Sequence, residues 1–190
     1  MAKATNALTQ GLSGKVSGLV FRRNANGTVS VGDAPRPSSK VPSPAVLAQR
    51  QRFQQAAFYG RAVQQDPAAM AAYATGIDVN TSSAYVVAVA DYLSAPNIRN
   101  VDFSAYRGQK GDVITVQATD DFAVTEVRVL IQNPDGTLVE EGPALPDADG
   151  FTFRFVAKAV NASLDGDRII VTAADRPGNQ TTEQHTFGDR

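Results

Sequence analysis

Cysteine is absent from these 190 residues, tryptophan is absent too, and histidine occurs once, at His185. Without cysteine there is no disulfide framework, no thiolate nucleophile and no thiolate metal ligand, and the redox compartment stays open. A single histidine leaves no paired imidazoles for zinc. His185 lies in a polar final strand, with nothing about it that favours a Ser-His-Asp triad. The missing Trp and the five scattered Tyr leave no aromatic platform of the kind that stacks on sugars. No run approaches the ~18 apolar residues of a membrane span. The start, MAKATNALTQGLSGK, has no apolar core of a classical secretory signal. An extracellular role would be expected to rest on another export route, on lysis, or on a leader already trimmed from this sequence.

Glutamate is also missing until Glu126, and this exposes a charge split beneath the net charge of −1. Residues 1–96 carry nine Lys and Arg against four Asp, a balance of +5; residues 97–190 carry nine against fifteen Asp and Glu, a balance of −6. A basic half joined to an acidic half suits head-to-tail association of like subunits. Two unrelated modules with different surfaces would give the same split. The basic residues are sparse and form no stripe, so nucleic acid is not an expected partner.

With 43% hydrophobic residues the chain has material for ordered cores. Its most legible stretch is SPAVLAQRQRFQQAAFYGRAVQQ, residues 43–65, which reads as one long helix. Ser43 is placed to cap it and Pro44 sits at the first helical position. Val46, Phe53, Ala56, Gly60 and Val63 form a seam with Leu47, Phe58 and Ala62 on its shoulder, and Gln49, Arg50, Arg52, Gln55, Arg61 and Gln64 are assigned to the opposite face. Asp66-Pro67 ends this helix and caps a second, Pro67 to Thr75, closed by Gly76. A third helix spans about Ser83 to Ser94, capped by Thr81 or Ser82 and stopped by Pro96.

Ahead of the helices, residues 1–12 are expected to lack order. GKVSGLVFRR and TVSVG then read as the two strands of a hairpin, turned at Asn26-Gly27. An isolated two-stranded hairpin is marginal and has to pack on something. GLSGKVSG is not a phosphate loop, because Thr9 stands where Gly is required and Val16 where Ser or Thr is required. DAPRPSSKVPS forms an extended Pro-rich linker.

From Asn97 the period becomes two. Strands are expected at 98–104, 112–119, 124–132, 137–141, 150–158, 167–174 and 180–187, separated by Gly-, Asn- and Asp-rich turns. Seven short strands at this spacing are the pattern of an immunoglobulin-like sandwich. The expected class is thus α+β: a β-hairpin arm and linker (1–42), three helices (43–96) and a seven-stranded Ig-like β-sandwich (97–190).

Two stretches carry a resemblance. Asp120-Asp121-Phe122-Ala123-Val124 with Val127-Arg128-Val129, and the turn Ala173-Ala174-Asp175-Arg176-Pro177-Gly178-Asn179, resemble bacterial Ig-like domains, over about half the chain. The resemblance implies a spacer, an adhesive unit or a part of a surface assembly. Gly14-Lys15-Val16 through Gln49-Arg50-Gln51-Arg52-Phe53 resembles the N-terminal region of an uncharacterised protein family common in Bacteroidota, with no assigned activity and so no catalytic residue to carry across.

These readings point to a non-enzymatic structural subunit that assembles with itself into a filament or similar particle, in an extracellular or cell-surface setting. Val16, Leu19, Val20, Phe21, Arg22 and Arg23 of the arm, with Arg50, Arg52 and Arg61 of the long helix, are the expected subunit contacts. The alternative is an Ig-like adhesive or carbohydrate-binding module with a helical adaptor. No cofactor is required. Ca2+ is the one ion with candidate ligands, Asp120, Asp121 and Asp175, if they gather at one end of the sandwich; the simpler reading is that these carboxylates hold turns. Asn26, Asn80, Asn161 and Asn179 each begin an Asn-x-Ser/Thr triplet and read as turn residues.

Overall fold

The computed structural model describes residues 2–4, 12–24, 26–36, 41–79 and 81–188. The chain divides into two compact units, residues 1–44 and 45–190.

The first unit is a four-stranded antiparallel sheet, not a two-stranded hairpin. Its strands are β1 (Ala2–Ala4), β2 (Gly14–Val16), β3 (Leu19–Arg23) and β4 (Val29–Asp33), in the order β1-β4-β3-β2. Two expectations change here. The stretch GKVSGLVFRR folds back on itself at Ser17-Gly18, both left-handed with φ of 45° and 92°. This is the geometry of a tight two-residue hairpin loop, and it pairs Val16 with Leu19. Ala2–Ala4, expected to lack order, pairs with β4. The Asn26-Gly27 turn forms as expected: Asn26 Oδ1 accepts from the Thr28 amide and hydroxyl at 3.1 and 2.7 Å.

The second unit starts with α1 (Pro44–Gln65), α2 (Pro67–Ala74) and α3 (Ala84–Leu93). Asp66 caps α2 by accepting from the amides of Ala68 and Ala69. The cap of α3 is Ser83, whose hydroxyl accepts from the Val86 amide at 3.4 Å. Thr81, expected as a cap, closes the preceding loop instead, donating to the Gly76 carbonyl at 3.1 Å and to Asp78 Oδ1 at 2.6 Å. Only part of the α1 seam is covered. Ala56, Gly60 and Val63 are buried, while Phe53 stays 55% exposed. Gly60 is required where it stands, since a Cβ there would lie 2.8 Å from the Tyr85 ring and 2.8 Å from Val89 Cγ2. Helices α1 and α3 meet at that point with no room for a side chain.

All seven strands expected after residue 96 form: β5 (Asn97–Asp102), β6 (Val113–Thr119), β7 (Val124–Gln132), β8 (Leu138–Pro146), β9 (Thr152–Val156), β10 (Arg168–Asp175) and β11 (Gln180–Thr186). They make one nearly closed antiparallel sheet in the order β11-β10-β7-β8-β9-β6-β5. Strand β8 runs past the expected end at Glu141 because it changes partner. It pairs with β7 as far as Ala144 and with β9 at Leu145 and Pro146. Alternation places Ile114, Val116 and Ala118, Val127, Val129 and Ile131, Ile169, Val171 and Ala173, and Phe153 and Phe155 in one core. Each fully buried side chain of this size contributes about 1.5–3 kcal/mol. A second, smaller core of Val63, Tyr73, Ala84, Val87 and Ala88 holds the helices, with Phe122 from the β6–β7 turn packed against it.

Candidate functional site

On α3 the buried row is Ala84, Val87, Ala88 and Asp91. The spacing is that of one helical face, and its last position holds a carboxylate where an apolar residue belongs. Asp91 is 0% exposed. Its Oδ2 accepts a short hydrogen bond from the Tyr73 hydroxyl of α2. The Tyr73 hydroxyl in turn lies 2.8 Å from that of Tyr59 on α1.

Two more carboxylates meet Asp91 from the sheet. Asp120 follows β6 and Asp175 ends β10, and carboxylate oxygens of the three lie within 4.8 Å of one another. Asp175 is bound into its turn, accepting from the Gly178 amide at 2.8 Å and from the Asn179 amide at 2.6 Å on Oδ1, and from Asn179 Nδ2 at 2.7 Å on Oδ2. Asp120 Oδ2 accepts from the Phe122 amide at 3.4 Å. Asp91 Oδ1 and Asp120 Oδ1 are buried with no hydrogen-bond partner. Burial pushes the Asp91 carboxyl up to about 7; the Tyr73 hydroxyl bond opposes the shift, and Asp120 and Asp175 add to it. Burial likewise raises Tyr73 and Tyr59 above the ordinary tyrosine value.

The junction is latched by Asn179. Its Nδ2 lies 2.8 Å from the Ser94 carbonyl and 2.7 Å from Asp175 Oδ2, satisfying a helix-end acceptor and a turn carboxylate with one amide. Among the described residues no carboxylate–imidazole–hydroxyl triad or thiolate accompanies the cluster. A set of carboxylate oxygens of which two have no partner can hold a proton or a hard cation.

The expected Ca2+ candidates are thus only partly brought together. Asp120 and Asp175 meet, while Asp121 is exposed and accepts from the Ser94 hydroxyl. Asp91 takes the third place. The turn-holding role expected of these carboxylates is also present, in the bonds of Asp175 and Asp120. The signal for Asp91 was in the sequence: a lone charge in AYVVAVADYL at the helical step of the buried row. Of the other singled-out polar residues, His185 Nε2 lies 3.5 Å from Glu183 Oε2, with its ring 5.8 Å from that of Phe103. Asn161 is buried and donates to Asp167 Oδ2 at 2.6 Å. Asn80 lies outside the described residues.

The expected subunit contacts divide. On the arm, Val16 and Leu19 are 55% and 42% exposed, Arg22 and Arg23 are exposed, and Val20 and Phe21 are half-buried. Strand register puts Val16, Leu19, Phe21, Val29 and Val31 on one face and Lys15, Val20, Arg22, Ser30 and Gly32 on the other. On α1, Arg50 is exposed, and the Arg61 guanidinium lies 5.5 Å over the exposed Phe58 ring. Arg52, assigned to the outer face, donates to the Leu93 carbonyl of its own chain at 2.7 Å. Leu47 and Phe58, expected beside the seam, are 51% and 56% exposed.

Among known protein families and curated proteins, none matches this chain. None of the helices among the described residues is long and apolar enough to cross a membrane.

Proposed function

We propose that the chain is a non-enzymatic structural subunit whose copies join head to tail into a filament or similar repetitive particle, with the N-terminal arm pairing to a neighbour. The observation that carries this reading is the set of apolar side chains left in solvent on two elements: Val16 and Leu19 on the arm sheet, and Leu47, Phe53 and Phe58 on α1, each at least 42% exposed. Val16 and Leu19 are cross-strand partners on one face of the arm, and adjoining exposed apolar side chains mark surfaces that another chain covers. The occupant is a second copy, because the halves of the chain carry +5 and −6 and so attract one another between molecules. The outer strands β1 and β2 of the arm offer backbone donors and acceptors for strand addition. The strand order of the second unit further supports reading it as an Ig-like sandwich, with β5, β6 and β9 in one layer and β8, β7, β10 and β11 in the other.

Sedimentation velocity and negative-stain microscopy of the full chain test this. Assembly expected at low salt weakens as salt screens the charge contacts. Removal of residues 1–32 abolishes assembly and leaves a soluble second unit. A dispersed monomer at every concentration and salt overturns the reading in favour of an adhesive or carbohydrate-binding module.

A further inference from the structure

We propose that Asp91, Asp120 and Asp175 form a binding site for a hard divalent cation of the Ca2+ class, which ties helix α3 to two turns of the sheet. The inference is independent of self-assembly.

Three features carry it. The first is geometry. Oxygens bound to one Ca2+ at about 2.3–2.6 Å lie no more than ~5 Å apart, and the three carboxylates offer oxygens within 4.8 Å of one another. The three carboxylates are thus close enough for one ion to draw them together. The second is the unsatisfied pair. Asp91 is fully buried, yet its Oδ1 has no donor, and neither has the buried Oδ1 of Asp120. Buried carboxylate oxygens without partners are rare, because the lost hydration is returned by nothing. The third is charge. Among the described residues no ion pair reaches the three carboxylates. Arg176 is occupied over the Tyr73 ring, 5.7 Å from its centroid.

The donor set selects the ion. All ligands are carboxylate oxygens, with no sulfur or imidazole, which favours Ca2+ or Mg2+ over zinc or copper. Ca2+ tolerates the irregular arrangement, whereas Mg2+ requires near-ideal octahedral geometry. Water completes the shell. A cleft of about 240 Å3, lined by Gly76, Asp78, Thr81, Asp121 and Phe122, has Asp91 in its wall. The competitor is a proton shared between Asp91 and Asp120. The groups facing Asp91 are Tyr73 from α2, with Tyr59 behind it, and Asp120 and Asp175 from the sheet.

Terbium is the probe, because the chain has no Trp and Tyr73 beside the site is positioned to sensitise its emission. Full-length protein at pH 8, titrated with Tb3+, is expected to show saturable tyrosine-sensitised luminescence that Ca2+ displaces. Asp120→Asn and Asp175→Asn each weaken binding at least tenfold, and Asp121→Asn leaves it unchanged. Melting at pH 8 reports the same event without luminescence: Ca2+ raises Tm relative to EDTA in the wild type and not in Asp120→Asn. A Tm equal in Ca2+ and EDTA overturns the proposal in favour of the shared proton. Luminescence that survives both substitutions overturns it by placing the ion elsewhere.

Discussion

The molecule contains two antiparallel sheets whose strands alternate in the same way but whose apolar faces meet different fates. In the second unit, β6, β7 and β10 alternate buried and less buried positions, and their inward rows (Ile114 and Val116, Val127 and Val129, Ile169 and Val171) are all fully buried. In the arm, the apolar face of Val16, Leu19, Phe21, Val29 and Val31 has one buried member among the described residues, Val29. Alternation decides which residues share a face, and a facing layer decides whether that face is dry. The seven-stranded sheet is nearly closed, so its inward rows pack against one another in one core. Helix α1 shows the same division within one element, buried at Ala56, Gly60 and Val63 and exposed at Phe53, a heptad before Gly60.

Charge placed on either face breaks the comparison most sharply. Val129→Asp buries an unpaired carboxylate in the closed sheet and is expected to cost at least about 4 kcal/mol, enough to abolish the cooperative thermal transition. Leu19→Asp, on the arm, leaves circular dichroism and Tm nearly unchanged and abolishes assembly in sedimentation velocity. If Leu19→Asp unfolded the chain as Val129→Asp does, the two sheets would not differ as described.

A second contrast sets the helix–sheet junction against the exposed turns. Asp91, held up to about 7 chiefly by burial, keeps its proton in the folded chain over a range where the unfolded chain has lost it. Its contribution to stability is fully present below about pH 4 and is lost as the pH rises through about 7. Urea unfolding in EDTA should show that decline, and Asp91→Asn should flatten it. The turn carboxylates Asp135 and Asp149 run the other way. Bonds from Thr137 and Thr152 hold them below the ordinary range, so their small contribution is lost as the pH falls through their depressed values.

Smaller effects follow where packing is close. Gly60→Ala pushes a methyl into Tyr85 and Val89 and is expected to cost about 1–3 kcal/mol, partly offset by roughly 1 kcal/mol of helix propensity, read as a lower urea midpoint. Asn179→Ala leaves the Ser94 carbonyl and Asp175 Oδ2 without their shared donor and is expected to cost about 1–2 kcal/mol.

Much of this was legible in the sequence. The seven strands were, because β6, β7 and β10 alternate buried and less buried positions and Gly-, Asn- and Asp-rich turns separate most of the strands. Helices α1 and α2 were, because Pro44 and Asp66-Pro67 are unambiguous start signals. The arm differs at Gly18, which lies inside GKVSGLVFRR, expected as one strand, and is half of a hairpin turn. Residues 2–4 carry no pattern of their own, and only the partner strand β4 makes them a strand. The N-cap of α3 moved from Thr81 or Ser82 to Ser83, since three consecutive hydroxyl residues offer equivalent caps and Thr81 has a better bond in the loop. The carboxylate cluster was half visible. Asp120 and Asp175 stood out in their turns, but Asp91 joins them only through the packing of α3 on the sheet. Leu47 and Phe58 show the limit of spacing arguments: an apolar residue beside a seam is not thereby covered.

The central claim is that the arm and α1 present apolar surface for another copy of this chain. Sedimentation velocity of the wild type beside the double variant Leu19→Asp/Phe53→Asp, at low salt and matched concentration, tests it most directly. The account predicts large assemblies for the wild type and a folded monomer for the variant. A wild type that sediments as a single monomer across the concentration range would contradict it.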